Sequence, residues 1–207
     1  MASNLASQFK LRVDSIGREV SRIPRKAPPV LVLLGDSLSE DNHIKELAGH
    51  LVINMGVRGD EIDHADGGVI NRLNLLPLAF PAHVMLLVGL NDLANDHKTD
   101  ESVADDYERL VVAIRRTVPS ADLHLLEVLP TRGRFERHMP RIALLNVAIE
   151  EIAGRHGVKM LDTFSAMEDD DGHLNEAYSE DGGHLNDFGY EALNGLMEKH
   201  LKTGEAY

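Results

Sequence analysis

The sequence predicts an α/β protein, a three-layer α/β/α sandwich on a five-stranded parallel sheet. Five short apolar runs, at 30–34, 51–54, 84–88, 123–129 and 158–161, alternate with stretches of helical periodicity. The first of them, V-L-V-L-L, is apolar without alternation, as a strand buried on both faces requires. Three consecutive runs end in small polar signatures: Gly35-Asp36-Ser37, Asn54-Met55-Gly56 and Gly89-Leu90-Asn91-Asp92. Open parallel sheets bind their ligands at that edge.

The elements follow in order. In residues 1–26, Leu5, Phe9, Val13, Ile16 and Val20 form one apolar stripe, predicting an amphipathic helix of the domain. The same stretch holds six Lys/Arg against Asp14 and Glu19, so an organelle transit peptide is the other reading. Pro24 and Pro28-Pro29 stop the helix and begin a linker. Gly35 ends the first strand in a sharp turn, and Asp36 or Ser37 caps a following helix expected over much of 39–50. Gly56 and Gly59 call for a tight loop or a close backbone approach. Helical character resumes ahead of Pro77, interrupted by Gly67-Gly68. Residues 101–117 read as a helix through Val103, Tyr107, Leu110, Val111 and Ile114. An Arg-rich loop (Arg132, Arg134, Arg137, Arg141) leads to a helix striped by Ile142, Leu145, Ile149 and Ile152. An acidic loop spans about 165–186, and a last helix from Gly189 carries Tyr190, Leu193, Met197 and Leu201. The expected organisation is one domain over 1–207, with the helix of 1–26 preceding a core of 27–207.

Composition narrows the chemistry. The chain has 207 residues and no cysteine, which excludes disulfides, thiolate metal sites and a cysteine nucleophile. The absence of Trp, 4% aromatics and a net charge of −13 argue against nucleic acid and anionic membrane as partners. No apolar run is long enough to span a bilayer and no secretory signal is present, so a cytoplasmic location is expected. No cofactor or metal site is read. Asp169-Asp170-Asp171-Gly172 fails the EF-hand pattern, and His64 between Asp63 and Asp66 reads as a wet charged face.

Acyl transfer needs a nucleophile, a base, an orienting carboxylate and oxyanion donors. Ser37 supplies the hydroxyl. His184 is the expected base, and Asp181, three residues earlier, can hold its far ring nitrogen and fix the tautomer. The nearby Asp171-Gly172-His173 lacks that spacing. The expected oxyanion donors are the Ser37 N–H, the Gly56 N–H and the Asn91 side-chain amide. Gly suits position 56 because no Cβ would shield its N–H. Leu38, Leu90 and Leu185 flank these positions and are candidates for an acyl pocket. Arg58 is a candidate to line the site. Arg132 and its neighbours either hold an anionic group of the substrate or face solvent.

These blocks, in this order over residues 30–201, resemble the GDSL, or SGNH, hydrolase family, with Ser37, Gly56, Asn91 and His184 at the name-giving positions. L-L-G-D-S-L, N-M-G-V-R-G-D, V-G-L-N-D, L-P-T-R-G-R and G-Y-E-A-L resemble the platelet-activating-factor acetylhydrolase and carbohydrate acetylesterase branch. The resemblance implies a flavodoxin-like sandwich, metal-free hydrolysis of short acyl esters, acetyl first, and a homodimer in some relatives. Two departures stand out: Asp92 where those relatives carry a second Asn, and no Trp for a lipid pocket. A thioesterase or lysophospholipase with the same triad is the alternative within catalysis, and a non-catalytic binding module the alternative outside it. Chelators are expected to leave activity intact, and protonation of the base to give the rate profile an acid limb.

Overall fold

The computed structural model describes residues 2–24, 26–64 and 67–204, without the side chains of residues 2–6. Arg25, Asp66 and the Leu5 side chain, which entered the readings above, lie outside the described residues.

Strand β1 (Val30–Gly35) is buried at every position, and its side chains alternate between two cores. Val30, Val32 and Leu34 face one, Leu31 and Leu33 the other. Parallel partners flank it on both sides: β3 (His50–Gly56) and β4 (Pro81–Leu87). β5 (Asp122–Leu126) and β6 (Lys159–Leu161) extend the sheet in parallel beyond β4. The five parallel strands therefore run β3-β1-β4-β5-β6, the flavodoxin-like order. The chain reverses direction across the sheet after β3, so loops from β1 and β4 meet at the switch point.

A sixth strand departs from the expected five. β2 (Glu46–Leu47) pairs antiparallel with the start of β3. It occupies a stretch read as helix, because the helix after Ser37 stops early. α2 is only Ser37–Glu40. The Asn54 side-chain amide donates to the carbonyls of Ser39, Glu40 and Asn42, at 2.8 Å to the last. Those carbonyls would otherwise receive the N–H groups of a continuing helix.

The core with Val30 is covered by α1 (Ala2–Val20), α5 (Asp100–Thr117) and α6 (Met139–His156). Ile16 and Val20 are buried there with the striped residues of the two later helices. The opposite core lies under α8 (Asp187–Thr203), through Leu193 and Met197, together with Leu38 and with Met167 of α7 (Phe164–Met167). Two short helices complete the chain: α3 (Leu76–Ala79), which follows a 3₁₀ segment at Val69–Leu75 and takes Pro77 in its first turn, and α4 (Leu90–Ala94). Among the described residues no helix is long and apolar enough to cross a membrane.

Candidate active site

Gly35 places Ser37. A Cβ at Gly35 would sit 2.0 Å from the Leu87 carbonyl oxygen, so only glycine lets β1 turn this close to β4. Asp36 caps α2, its Oδ1 accepting from the Leu38 N–H at 3.0 Å. Ser37 thus opens α2 at the C-terminal edge of the sheet, 7% exposed.

Beneath this turn lies Arg72, which sequence reading passed over. It is 2% exposed, and its guanidinium donates to the carbonyls of Gly35 at 2.6 Å and Met55 at 3.2 Å. It also pairs with the buried Asp60 carboxylate. One cation so joins the ends of β1 and β3 to the loop beyond. A polar residue inside the apolar run V-I-N-R-L-N-L-L was the available signal. From α1, Arg12 donates to the carbonyls of Gly56 at 2.9 Å and Asn54 at 3.0 Å, making the N-terminal helix a brace for the same loop.

Gly56 differs from expectation. Its N–H donates to Asn54 Oδ1 at 2.9 Å and is consumed within the loop. The space that a Cβ would fill holds the Glu40 nitrogen at 2.2 Å and Ser39 carbon at 2.6 Å. Gly56 therefore lets α2 cross the sheet edge rather than baring a donor. Further along, the Val57 N–H donates to Gly35 O, the Arg58 N–H to Glu40 and the Asp60 N–H to Val57 O. Gly59, at φ +73° with open space beside it, is the residue of that turn whose N–H has no acceptor among the described residues. Asn91, in the first turn of α4, bridges the two loops: its amide donates to Asp60 O at 2.9 Å and to Asp36 Oδ2 at 3.4 Å. The weaker contact leaves one amide hydrogen loosely held. Asp92, the departure from the related acetylhydrolases, is fully buried. It accepts from the Ile62 N–H at 3.1 Å and Lys98 Nζ at 2.6 Å. Its carboxylate is thus an anchor for the Asp60 loop.

Asp181 and His184 form one local unit. His184 Nδ1 and Asp181 Oδ2 are 2.9 Å apart, while Asp181 Oδ1 accepts from the Gly183 and His184 N–H groups at 2.9 and 2.8 Å. Burial pushes the Asp181 carboxyl up, but those hydrogen bonds outweigh it and hold it well below the usual carboxylate range. The Ser179 hydroxyl closes the turn, donating to His184 O and accepting from the Gly182 N–H. The helix that follows is tied to α2: Tyr190 Oη donates to Leu38 O at 3.1 Å, and Asn42 Nδ2 to Asn194 Oδ1 at 2.7 Å. His184 is near enough to Asp36 for its charge to act on that carboxyl. No hydrogen bond joins the ring to Ser37 Oγ among the described residues, a gap common before substrate binds.

The Arg-rich loop has a third use. Arg132 donates its N–H to Gly182 O at 2.8 Å, and its guanidinium reaches Leu174 O, Asp169 and Glu176. It pins the acidic loop rather than facing substrate or solvent. A Cβ on Gly182 would meet Arg132 O at 2.2 Å, and one on Gly183 the Phe135 ring at 2.7 Å. Phe135 stands edge-on to the His184 ring, and Arg134 donates to Asp181 Oδ2 at 3.1 Å. Arg58 is likewise spoken for, by the Asp41 carboxylate at 2.5 Å. Leu38 and Leu185 share the core under α8, but Leu90 packs into the opposite one, so the three do not line a common pocket.

Burial pushes the Asp36 carboxyl up to about 7, with the Leu38 hydrogen bond opposing. An unfolded Asp ionises near 3.9 (about 4), so the folded form holds the extra proton between those values. Its stabilising contribution is whole below about pH 4 and is lost as pH rises through 7. Asp36→Asn is expected to hold its urea midpoint between pH 5 and 8 better than the parent does. An equal decline in both would contradict this.

The fold and this edge bring together groups suited to acyl transfer, and comparison with known proteins gives the family. Residues 22–192 match the model of the GDSL-like lipase/acylhydrolase family, and the chain belongs to that family. A solved structure described as a putative platelet activating factor from Streptococcus pneumonia superposes with a TM-score of 0.78 at 24% identity, covering 97% of this chain and 95% of that one. A putative acylhydrolase from Bacteroides fragilis gives 0.76 at 19% identity, over 92% and 96%. An Escherichia coli N-acylneuraminate cytidylyltransferase is 25% identical over 172 residues, 83% of this chain. The chain spans about 40% of the length of that curated relative. That family is one of lipases and acylhydrolases, enzymes that cleave acyl esters.

Proposed function

We propose that Ser37 attacks short acyl esters, acetyl foremost, with His184 as general base and Asp181 as its orienting carboxylate. The observation that carries the reading is the Asp181–His184 unit, prebuilt at 2.9 Å and tethered through Tyr190 to the residue after Ser37. His184 Nε2 takes the Ser37 proton as Oγ bonds to the acyl carbon. The ring then returns it to the departing alkoxide, and the same base activates water to release the acid. The oxyanion is held by the Ser37 N–H, the loosely bound hydrogen of Asn91 and, in place of Gly56, the unclaimed N–H of Gly59.

Two features favour a small acyl group on a polar alcohol. The recess at His184, about 440 Å³, is lined by Glu180, Asp181, Asn186 and Asp187 beside Leu185. Leu38 is buried in the core rather than lining an open groove, which leaves Leu185 as the apolar wall of the recess. The E. coli relative is named for an N-acylneuraminate, a reason to include O-acetylated sugar acids among the esters to screen.

A chromogenic ester series should show kcat/KM highest for acetate and falling with chain length. A maximum at eight carbons or more would favour the lysophospholipase or thioesterase reading. Asn91→Ala is expected to lower kcat by about 10²–10³-fold, the usual loss for one oxyanion donor. An unchanged kcat in folded Asn91→Ala would remove it from the oxyanion site.

A further inference from the structure

At the opposite end of the strands, four histidines cross the sheet in a row. His50, His83, His124 and His200 stand with successive ring centroids 4.8, 5.2 and 5.0 Å apart. His83 is on β4, His124 on β5 and His200 near the end of α8. His83 Nδ1 lies 3.0 Å from His124 Nε2, and His124 Nδ1 lies 2.9 Å from His200 Nε2. Asp122 sits two residues before His124, on the same face of its strand, with Oδ2 4.0 Å from His83 Nδ1.

We propose that His83, His124 and Asp122 bind a zinc-class divalent cation at this edge, with a water in the fourth position. Ligand atoms from the three residues lie within 4.8 Å of one another. Tetrahedral zinc holds nitrogen and oxygen donors at about 2.0–2.2 Å, hence roughly 3.4 Å from each other. The two separations from His83, 3.0 and 4.0 Å, bracket that spacing, and the third pair, His124 with Asp122, lies within 4.8 Å. Two imidazoles with one carboxylate suit zinc, cobalt or nickel better than calcium or magnesium. The outer contacts also fit. With Nε2 on the metal, His124 has Nδ1–H to donate to His200 Nε2, fixing ring and tautomer as metal-bound histidines usually are. His83 and Asp122 are 21% and 57% exposed, which opens the site to solvent from one side.

Lys159 is the competitor. Its Nζ donates to Asp122 Oδ2 at 3.2 Å, and its stem is mobile enough to turn out when a dication arrives, being 42% exposed. His83 lies beside Leu31, four residues before Gly35, which puts the site about 13 Å along the strand from the turn that leads into Ser37. The ion therefore joins β4, β5 and, through His200, α8, and takes no part in ester cleavage. The inference is independent of the assignment of the triad.

The experiment is calorimetric titration of chelator-treated protein with Zn²⁺, followed by thermal unfolding and by visible spectra with Co²⁺. Expected are one ion per chain, a raised Tm, tetrahedral Co²⁺ bands and unaltered hydrolysis. His83→Gln should weaken zinc at least 100-fold. Asp122→Asn, at an exposed position that does not endanger folding, should weaken it about 10-fold. Lys159→Met should tighten it, an effect that a merely structural histidine row does not produce. No zinc binding by the parent, or binding unchanged in both His83→Gln and Asp122→Asn, would overturn the proposal.

Discussion

Ser37→Ala is expected to lose about 10⁴–10⁶-fold in kcat/KM while folding normally, as removal of the nucleophile does in serine hydrolases that work through a histidine base. The hydroxyl is small, and the backbone that positions it is held by Gly35, by the Asp36 cap and by Arg72 rather than by Oγ. Deleting it should leave the unfolding free energy within about 1 kcal/mol of the parent. A fluorophosphonate probe should label the parent at Ser37 and leave Ser37→Ala unlabelled. Full turnover by Ser37→Ala would remove this residue from the chemistry. Absence of any adduct in folded parent protein would leave the binding-module reading standing.

The second large effect is expected at Arg72. Replacement by Met strips the Gly35 and Met55 carbonyls of their donor and leaves the Asp60 carboxylate buried without a counter-charge. Breaking one side of a buried pair costs about 3–5 kcal/mol. Arg72→Met should therefore lower the unfolding free energy by that amount at pH 7, read from urea unfolding, and hydrolysis should fall with it because Gly35 leads directly into Ser37. Neutralising the orphan in Arg72→Met/Asp60→Asn should recover part of the loss, since the two residues are coupled. A single-variant penalty below 1 kcal/mol, or no recovery in the double variant, would show that Arg72 is not the keystone of this turn.

The strands were legible because burial on both faces forces an uninterrupted apolar run, as in V-L-V-L-L, and the long helices because Val103, Tyr107, Leu110 and Ile114 repeat at helical spacing. The Asp181–His184 pairing was legible for a related reason. Its geometry is closed within four residues, so spacing alone carries it. The helix expected over 39–50 failed because Asn54, from the next strand, captures the carbonyls that the helix needed. Gly56 was given the wrong task for the same cause: whether an amide is bare depends on the Asn54 side chain and on α2 passing overhead. Arg132 read as substrate contact or solvent charge, and became a tether only once the acidic loop had folded around it.

The amino-acid order thus carried whatever is periodic or local: the strands, the long helices, and the residues with acyl-transfer chemistry. Folding alone revealed which donors are free, which arginines are already paired, and that histidines from three strands and a helix meet at the far edge. Those outcomes depend on partners up to 152 positions apart, as Tyr190 and Leu38 are. Hydrogen bonds and charges are satisfied by whatever lies nearest in space, and nearness in space is not written in spacing along the chain.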